Sequence, residues 1–428
     1  MSAIHEHQLP NGMTLLCLHQ PHLHSVEFGL YLRAGTLYES ERNQGISHLL
    51  EHLCFRALGG LDHDALQRQL SRMGAELDGA TYPEAMVFRV GAMSRFFDNL
   101  TELFLRFFRC TPWTDRQIEQ EKQVVLRQIE LDEEDFDETV QRRFRQTYEG
   151  AFPGMGTAEV VMNLTPAEIH VWQKLIFDPC NACLCITGNF SDGMEQAAVE
   201  AFSELTSASM RSPFEQAVPM DFCMRDESSD YVCEEEGGQA KVHIAFDLDS
   251  EQVMSLTAEV LDAITGRNDD SILFQELREN EALVAEIDSS IEELGMFRRL
   301  AIRYDVRQEL LEESLRKVFA LLCRLRTYIR PVRLEQTRLQ FTDNCLFDFD
   351  SASSMNRLLG WAWVAEDVSR ADLEAQADLY LNLTAEELLD AAQAVFRPEN
   401  MTISIQRDPE QTKADLAPLL QELRAMLA

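Results

Sequence analysis

The sequence predicts an α+β protein of two homologous halves, each with a mixed, mostly antiparallel sheet and helices packed on it. Three observations support this fold class. A helix–loop–strand unit occurs twice at a constant spacing, and strand-like runs are mixed with long helix-like runs in both halves. A length of 428 residues with 45% hydrophobic content exceeds what one ordinary core requires. We therefore expect at least two domains.

The repeated unit begins with a helix capping box. Thr165 and Thr384 are the predicted N-caps, and Glu168 and Glu387 follow each of them by three residues. A Phe-x-Pro-x-Asn loop and an apolar strand come next in both copies. The N-cap, Phe, Pro and Asn positions all differ by the same 219 residues (384−165, 396−177, 398−179 and 400−181). Such agreement indicates an internal duplication.

The duplication predicts three segments. Residues 1–206 form the first domain, a polar and irregular linker occupies 207–236, and residues 237–428 form the second domain. Strands at 13–18 and 25–32 are predicted to pair as a hairpin. The remaining predicted elements, in chain order, are the helix of the motif described below, a helix at 63–73, a strand at 85–90, a helix at 95–108, a strand at 240–248 and a helix at 252–264.

Composition limits the class of protein. The net charge of −35 argues against nucleic-acid binding, which needs basic surface, and favours cationic partners. The sequence shows no leader-like segment near its N-terminus and no run of 18 or more apolar residues, so we expect a cytoplasmic protein without a membrane span. The ten cysteines are scattered, which indicates reduced, buried thiols rather than a disulfide framework.

Cys180 and Cys183 form a C-x-x-C pair that is compatible with a redox or metal function. No second C-x-x-C exists to complete a tetrahedral metal site, and the repeat predicts a buried strand here. A redox protein built on this pair would show reactive thiols of low pKa. We favour buried, structural cysteines.

The stretch His48-Leu49-Leu50-Glu51-His52 carries the strongest chemical signal. On a helix, His48 and His52 point about 40° apart and Glu51 about 60° to the other side of His48, so all three share one face. Two neutral imidazoles suit Zn²⁺, and a neighbouring unligated carboxylate can act as general base. The order H-x-x-E-H is the inverted zincin motif.

The surroundings of the motif strengthen this interpretation. The segments 9–13, 25–35 and 43–47 lead into it, and further segments at 74–81, 121–126 and 271–279 follow. These runs resemble the pitrilysin/insulinase family of zinc peptidases over nearly the whole chain. The similarity is to its small two-domain members, which include the mitochondrial processing peptidase. The resemblance implies one active and one inactive domain facing each other across a cavity.

The resemblance also implies a third zinc ligand, a glutamate on a later helix. In this sequence the corresponding residue is Gln128, 76 residues beyond His52. Glu121, two helical turns earlier, matches an acidic position that the family keeps near the metal. A neutral Gln128 leaves the full +2 charge on the ion, so we expect weaker metal binding. Whether Gln128 is natural or replaces a natural glutamate stays open.

By the same resemblance, an arginine and a tyrosine seven residues later hold the substrate carbonyl. Arg278 is present, but Ala285 stands at the tyrosine position, and loss of one such donor costs on the order of 10² to 10³ in rate. The alternative for Arg278 is an ordinary surface salt bridge. Residues Gly79, Ala80 and Thr81 would belong to an edge strand that pairs with extended substrate, or to an ordinary turn and strand.

These features predict a zinc endopeptidase for small or unfolded peptides, with basic peptides favoured by the acidic balance. His48, His52 and Gln128 would hold Zn²⁺, Glu51 would be the general base and Glu121 would assist it. The chain would work as a homodimer, or as a heterodimer with a chain that supplies the Arg/Tyr pair. The alternative is a non-catalytic peptide-binding or scaffold subunit of a heterodimeric peptidase, with Gln128 and Ala285 as marks of decay.

Overall fold

The computed structural model describes residues 4–145, 148–149, 152–209, 211–212, 214, 221–222, 230–249, 253–294, 297–366, 372–412 and 415–428. Its strands are β1 (Ile4–Gln8), β2 (Thr14–His19), β3 (Ser25–Leu32), β4 (Ala57–Leu58), β5 (Leu61–Asp62), β6 (Asp78–Thr81), β7 (Met86–Met93), β8 (Tyr148–Glu149), β9 (Ala182–Gly188), β10 (Asp221–Phe222), β11 (Tyr231–Glu234), β12 (Ala240–Leu248), β13 (Val284–Leu294), β14 (Phe297–Val306) and β15 (Met401–Arg407).

The helices are α1 (Ile46–Arg56), α2 (His63–Met73), α3 (Phe97–Leu105), α4 (Asp115–Glu134), α5 (Phe136–Arg145), α6 (Ala158–Asn163), α7 (Pro166–Ile176), α8 (Asp192–Ser203), α9 (Ser255–Asp262), α10 (Leu311–Leu325), α11 (Pro331–Phe349), α12 (Ala352–Val364), α13 (Leu373–Asn382), α14 (Ala385–Val395) and α15 (Leu416–Leu427). π-helical segments occur at Ala263–Arg267 and Phe274–Asn280.

The chain divides into two compact units. Unit 1 comprises residues 1–134, 145–223 and 346–373, and unit 2 comprises residues 135–144, 224–345 and 374–428. Each unit therefore takes in one short segment from the other half of the sequence. The sequence-based boundaries at 206 and 237 stay a prediction, since residues 215–220 and 223–229 of the predicted linker lie outside the described residues.

Both units contain a sheet of the same plan, with one additional strand, β1, in unit 1. In unit 1 the strand order is β1–β2–β9–β3–β7–β6, and in unit 2 it is β11–β15–β12–β14–β13. Each sheet has one parallel pair, β2 with β9 and β11 with β15, and the strands beyond that pair are antiparallel. The predicted fold class, a mixed and mostly antiparallel α+β architecture repeated in two halves, is confirmed.

The predicted duplication is visible element by element. Both capping boxes form, with Thr165 and Thr384 each accepting the N3 backbone N–H while Glu168 and Glu387 reach back to the N-cap. Helices α7 and α14, the short 3₁₀ turns that follow them, and strands β9 and β15 start 219 residues apart (385−166, 398−179 and 401−182). The local signals of the repeat were sufficient to place this unit.

The predicted hairpin between the strands at 13–18 and 25–32 is wrong. Both strands exist, as β2 and β3, but β9 lies between them and pairs with each. Six residues between the two predicted strands suggested a hairpin, whereas the apolar β9, which is buried along its whole length, takes a central position in the sheet. The predicted helix at 95–108 is also shorter, because 3₁₀ turns flank α3 on both sides.

The two faces of the sheet in unit 1 are covered differently. Alternate residues of β2, β3, β7 and β9 join α1, α3, α7 and α8 in one apolar core. The opposite face of β3 and β9 packs against α12. There the Tyr31 hydroxyl donates to the backbone carbonyl of Asn356 at 3.1 Å, and the Asn356 amide donates to the carbonyl of Cys185 at 2.9 Å. The central strands β3 and β9 are therefore covered on both faces.

Glycine allows α12 to approach this face closely. A Cβ at Gly360 would lie 2.0 Å from the Tyr31 ring, and both residues belong to the core of unit 1. We therefore expect Gly360→Ala to lower the free energy of unfolding by about 1–3 kcal/mol through overpacking, despite a helix-propensity gain of about 1 kcal/mol. The measurement is urea denaturation followed by circular dichroism.

Gly193→Ala in α8 is the matched control, because a Cβ there meets nothing closer than Ser191 Oγ at 3.9 Å. This variant should be neutral or slightly stabilising. Equal stability of the two variants would contradict the close packing of α12 on the sheet.

Candidate metal centre and active site

Helix α1 positions the motif because its apolar face is buried in the core. Ile46, Leu49, Leu50 and Leu53 pack under the sheet, with exposed fractions of 0–1%. The opposite face of the helix therefore has a fixed direction. His48, Glu51 and His52 lie on it, with about a tenth to a fifth of each side chain exposed (18%, 11% and 18%).

The start of α1 depends on a glycine and a buried carboxylate. Gly45 has a positive φ of 84°, and a Cβ there would lie 2.2 Å from the backbone oxygen of Met155. Glu39 accepts the backbone N–H of Gly45 at 2.7 Å and of Ser47 at 2.9 Å. These bonds satisfy donors of the first turn and place a carboxyl group at the positive end of the helix dipole.

His48 of the motif contacts Gln128 from α4, and the His52 ring lies beside that of His48. His48 Nε2 lies 3.2 Å from Gln128 Oε1, and the rings of His48 and His52 are 4.7 Å apart between centroids. Burial, together with the nearby His52, holds the pKa of His48 below its usual range, so its imidazole is neutral at pH 7. The structure thus brings His48, His52 and Gln128 together as the sequence predicted, while their function as ligands stays a prediction.

Glu121, which lies on α4 like Gln128, contacts His52 of α1 from behind. Its Oε2 is 3.5 Å from His52 Nδ1, and its other oxygen accepts from the Arg56 guanidinium. Burial alone would raise the pKa of Glu121, but the hydrogen bonds from His52 and Arg56 more than offset it and hold that pKa below the usual value. An ionised Glu121 facing Nδ1 orients the imidazole and leaves its Nε2 free.

Glu51 is held by the edge strand of the sheet. Its Oε2 accepts a hydrogen bond from Thr81 Oγ1 at 2.6 Å and lies 3.8 Å from His48 Nδ1. Thr81 belongs to β6, the terminal strand in the order of the unit 1 sheet. The predicted edge strand of Gly79, Ala80 and Thr81 is therefore present, and it contacts the motif carboxylate directly.

The α1 face opens into a cavity of about 600 Å³. Its lining includes Glu51, His52, Arg56 and Glu121, together with Gly79 of the edge strand. A Cβ at Gly79 would lie 2.7 Å from the Phe55 ring, so glycine keeps β6 close to α1. The cavity thus lies between the motif helix and the strand proposed to bind extended substrate.

Arg278 lies in unit 2, in the π-helical segment Phe274–Asn280. Its Nε donates to the Ala285 backbone carbonyl at 2.7 Å, its NH1 group contacts Glu279 at 2.6 Å, and its guanidinium lies over the Phe274 ring at 4.8 Å. With 43% of the side chain exposed, these local contacts match the surface ion pair considered as the alternative. Its function in substrate binding stays a prediction.

The C-x-x-C cysteines do not have the character of redox thiols. Cys180 lies in the 3₁₀ turn after α7, whereas Cys183 lies in β9, where its Sγ is 3.8 Å from that of Cys185. Burial raises the pKa of Cys180 to about 11 and that of Cys183 well above its ordinary value. Both thiols therefore stay protonated near neutral pH, as expected for structural cysteines.

Sequence analysis missed three contacts that support the site: those of Glu39 with the start of α1, of Arg56 with Glu121, and of Thr81 with Glu51. Arg56 is one helical turn after His52, so the helix period alone could have placed it beside the motif. Neither Glu39 nor the Thr81 bond has a local signal, because each depends on how a loop or strand returns to α1.

The side chains at this site have donor atoms of the types that bind a divalent metal, but the proposed ligands carry no negative charge. Two imidazoles and an amide oxygen converge from α1 and α4, and Glu121 supplies the carboxylate partner usual for a zinc-bound histidine. All three proposed ligands are neutral. These donor types suit a divalent ion such as Zn²⁺, but their lack of negative charge reduces the attraction for it.

Comparison with known proteins gives consistent matches along the chain. A family model described as "Insulinase (Peptidase family M16)" matches residues 14–152, and "Peptidase M16 inactive domain" matches residues 163–341. An uncharacterized zinc protease of Bacillus subtilis, YmxG, is 21% identical over 80% of this chain and 84% of its own length. The β subunit of the mouse mitochondrial-processing peptidase is 31% identical over a match that spans 26% of this chain and 23% of that subunit.

A further relative is subunit 1 of the bovine mitochondrial cytochrome b-c1 complex, 25% identical over 56% of this chain and 49% of its own length. Among solved structures, a protease from Helicobacter pylori has a TM-score of 0.81 at 18% identity, covering 95% of this chain and 100% of that one. A peptidase M16 inactive domain from Pseudomonas fluorescens has a TM-score of 0.83 at 15% identity, with coverage of 95% and 98%. These structures show the same fold.

The buried Glu39 carboxyl gives a pH-dependent prediction. Burial raises its pKa from 4.5 to about 7, although hydrogen bonds from Ser47 and Gly45 oppose this shift. The pKa of Glu39 is higher in the folded state than in the unfolded state, so the unfolded chain binds fewer protons between pH 4.5 and 7. The stability that the protonated Glu39 contributes at low pH is therefore lost as the pH rises through this range. Relative to Glu39→Gln, the wild-type free energy of unfolding should fall by up to about 3 kcal/mol across this range.

The measurement is urea denaturation of both proteins at several pH values. The glutamine amide at position 39 places its NH₂ group against a backbone N–H, so we expect this contact to lower the stability of Glu39→Gln by an amount that does not depend on pH. The diagnostic quantity is therefore the slope of the free energy of unfolding against pH. Glu41→Gln, at an exposed position of the same loop, should follow the wild-type slope. Parallel curves for wild type and Glu39→Gln would contradict the raised pKa.

Proposed function

This chain belongs to the insulinase peptidase family M16, and from that membership we propose that it is a zinc-dependent endopeptidase for small or unfolded peptides. The observation that carries the proposal is the contact of His48 on α1 with Gln128 on α4, 3.2 Å between His48 Nε2 and Gln128 Oε1, with the His52 ring 4.7 Å from that of His48. Beside them, Glu51 is held in place by the hydrogen bond that it accepts from Thr81. Relatives named as zinc proteases support a zinc-dependent activity.

His48, His52 and Gln128 would hold the ion. Bound there, Zn²⁺ would supply positive charge that polarises a peptide carbonyl and makes water more acidic. The neutral ligand set leaves that charge undiminished, so it reduces occupancy more than the reactivity of an occupied site. Metal affinity is therefore the property in which this chain would differ most from a relative with a glutamate ligand.

The other side chains have separate tasks in this proposal. Glu51 would accept the proton of the attacking water, and the Thr81 hydroxyl would fix the direction of its carboxylate. Glu121 would hold the His52 ring through Nδ1 and stay ionised through its contact with Arg56. Strand β6 would bind an extended peptide along its outer edge, next to Glu51.

The substrate class and partner are less directly supported. The net charge of −35 favours basic peptides, and the carboxylates of Glu51 and Glu121 line the cavity. Ala285 lacks the hydroxyl expected beside Arg278, so we propose that a different chain, in a heterodimer, supplies the Arg/Tyr pair. A homodimer, the other predicted assembly, would lack this tyrosine in both copies. Two relatives are by name subunits of larger proteins, the processing-peptidase β subunit and cytochrome b-c1 subunit 1.

Gln128 and Ala285 also favour a second candidate function. In it, the chain is a non-catalytic subunit that binds peptides or supports an active partner chain. Both candidates share the fold and the cavity, and they differ in whether a metal-loaded site cleaves peptide. Within the described part of the chain, no helix has both the length and the apolar character needed to span a bilayer.

Gln128→Glu tests the metal site. A carboxylate in place of the amide adds a negative charge beside the ion, so we expect Zn²⁺ affinity at the motif to rise at least about tenfold. We also expect the endopeptidase activity of the wild type, measured on a diverse peptide library with any partner chain present, to rise with occupancy. The measurements are competitive zinc titration and mass spectrometry of cleavage products.

Gln123→Glu is the matched control, since it adds the same charge at an exposed position of α4. This variant should leave both properties unchanged, and His48→Ala should abolish motif metal and cleavage. If wild type and Gln128→Glu both hold zinc at the motif and neither cleaves any peptide, the peptidase proposal fails and the binding-subunit function stands.

Thr81→Val tests the support of Glu51. The variant keeps the shape of the side chain but removes the hydroxyl that donates to Glu51 Oε2. We expect kcat to fall roughly tenfold, because the carboxylate is no longer fixed in direction, with zinc content unchanged. Thr81→Ser should restore most of the rate. An equal loss in Thr81→Ser and Thr81→Val would show that the rate depends on the packing of the whole side chain, and would contradict the specific role of the hydroxyl.

A further inference from the structure

Unit 1 contains a second group of side chains of the types that can bind metals: His7, Cys17 and Glu195, with His5 beside them. We call it the β1–α8 cluster. His7, Cys17 and Glu195 each offer one donor atom, and these three atoms lie within 4.8 Å of one another. His5 Nδ1 is 3.0 Å from the same Glu195 carboxylate. The motif residues on α1 and α4 take no part in this cluster.

The backbone explains why these residues meet. His5 and His7 are two apart on β1 and so point to the same face of the sheet. Cys17 on β2 is the direct partner of His5 in the antiparallel register, and it points into the core beneath the helices. Glu195 lies in the first turn of α8, on the inner face that also carries Ala198 and Phe202. Three elements thus aim donors at one point.

The distances suit a small tetrahedral site. Glu195 Oε1 is 2.7 Å from His7 Nε2 and 3.0 Å from His5 Nδ1. Donors around a tetrahedral Zn²⁺ are about 3.3–3.6 Å apart, as follows from bond lengths of about 2.0–2.3 Å. Small rotations of these side chains would therefore open the space for an ion. His5 and His7 are 51% and 33% exposed, which gives the ion a path from solvent.

The donor types select the class of ion. Two imidazoles, one thiol and one carboxylate suit Zn²⁺ and similar first-row divalent ions, whereas Mg²⁺ and Ca²⁺ prefer all-oxygen sites. With Cys17 as thiolate and Glu195 ionised, the ligands carry a charge of −2 that balances the ion. The motif ligands, in contrast, are all neutral.

A hydrogen-bonded cluster without metal explains only part of the arrangement. Glu195 can accept from both histidines, but these hydrogen bonds do not involve the Cys17 thiol, whose sulfur lies within 4.8 Å of the His7 and Glu195 donor atoms. Burial first, and the charge of Glu195 second, raise the pKa of the Cys17 thiol far above its ordinary value. A bound divalent ion would reverse this effect, because coordination deprotonates a thiol.

We propose that His5, His7, Cys17 and Glu195 form a second divalent-metal site, selective for Zn²⁺-like ions, that links the edge strand β1 and strand β2 to helix α8. Its function is structural. The ion joins a terminal strand of the sheet to the helix layer beneath it, and such an edge is otherwise easily frayed. The site is independent of the proposed peptidase activity.

The test uses the full chain carrying His48→Ala and His52→Ala, so that the motif cannot hold metal. This protein should bind about one Zn²⁺ per chain, with an increase in melting temperature on loading. Loaded with Co²⁺ instead, it should show a thiolate-to-cobalt charge-transfer band, which the sulfur-free motif site cannot produce. Cys17→Ser should abolish that band.

Glu195→Gln and His7→Gln should each weaken zinc binding by more than the roughly 10- to 100-fold that loss of an outer-shell partner costs. Because a third of the His7 side chain is exposed, His7→Gln should still fold and give a measurement even if Cys17→Ser folds poorly. His24→Gln, at an exposed histidine outside the cluster, is the matched control and should bind as its parent does. Absence of bound zinc in the parent, or a cobalt spectrum unaffected by Cys17→Ser in folded protein, would overturn the proposal.

Discussion

The burial of one face of α1 is the constraint on which the site depends. Because Leu49, Leu50 and Leu53 must enter the core of unit 1, the helix has no freedom to rotate about its axis. Its polar face is then directed at α4 and β6. From α4 the motif meets Gln128 and Glu121, and from β6 it meets Thr81. The chemistry of the site is a consequence of how an amphipathic helix packs on a sheet.

The duplication gave the two units sheets of the same plan but different polar contents. In unit 1, α1 follows β3 and carries histidines toward a cavity. In unit 2, α9 follows β12 and ends at Asp262, which is fully buried and bonds to Arg267 at 2.6 Å and to Ser289. Here the buried carboxylate is satisfied by side chains of the same unit. The same backbone plan thus supports an open site in one copy and a closed, internally neutralised contact in the other.

Local signals predicted the repeat and the motif, and long-range packing accounts for what they missed. The capping boxes at Thr165 and Thr384 need only four adjacent residues to form, so the sequence alone was enough. The hairpin prediction failed because β9, about 150 residues later in the chain, inserts between β2 and β3. The packing of α12 on the unit 1 sheet, and the meeting of His7 with Glu195, likewise join residues that no local pattern connects.

The charges of the two donor sets bear on how metal content should be interpreted. The motif offers neutral ligands, whereas the β1–α8 cluster offers a carboxylate and a thiol that can ionise on binding. When a divalent ion is scarce, the negative charge of its donors favours binding at the β1–α8 cluster. Binding there releases the proton of Cys17, whose pKa is high, so occupancy of the cluster depends on pH. One zinc per chain is therefore not evidence that the H-x-x-E-H site is filled. Only a signal specific to the donor atoms, sulfur in one site and nitrogen with oxygen in the other, separates a structural metal from a catalytic one.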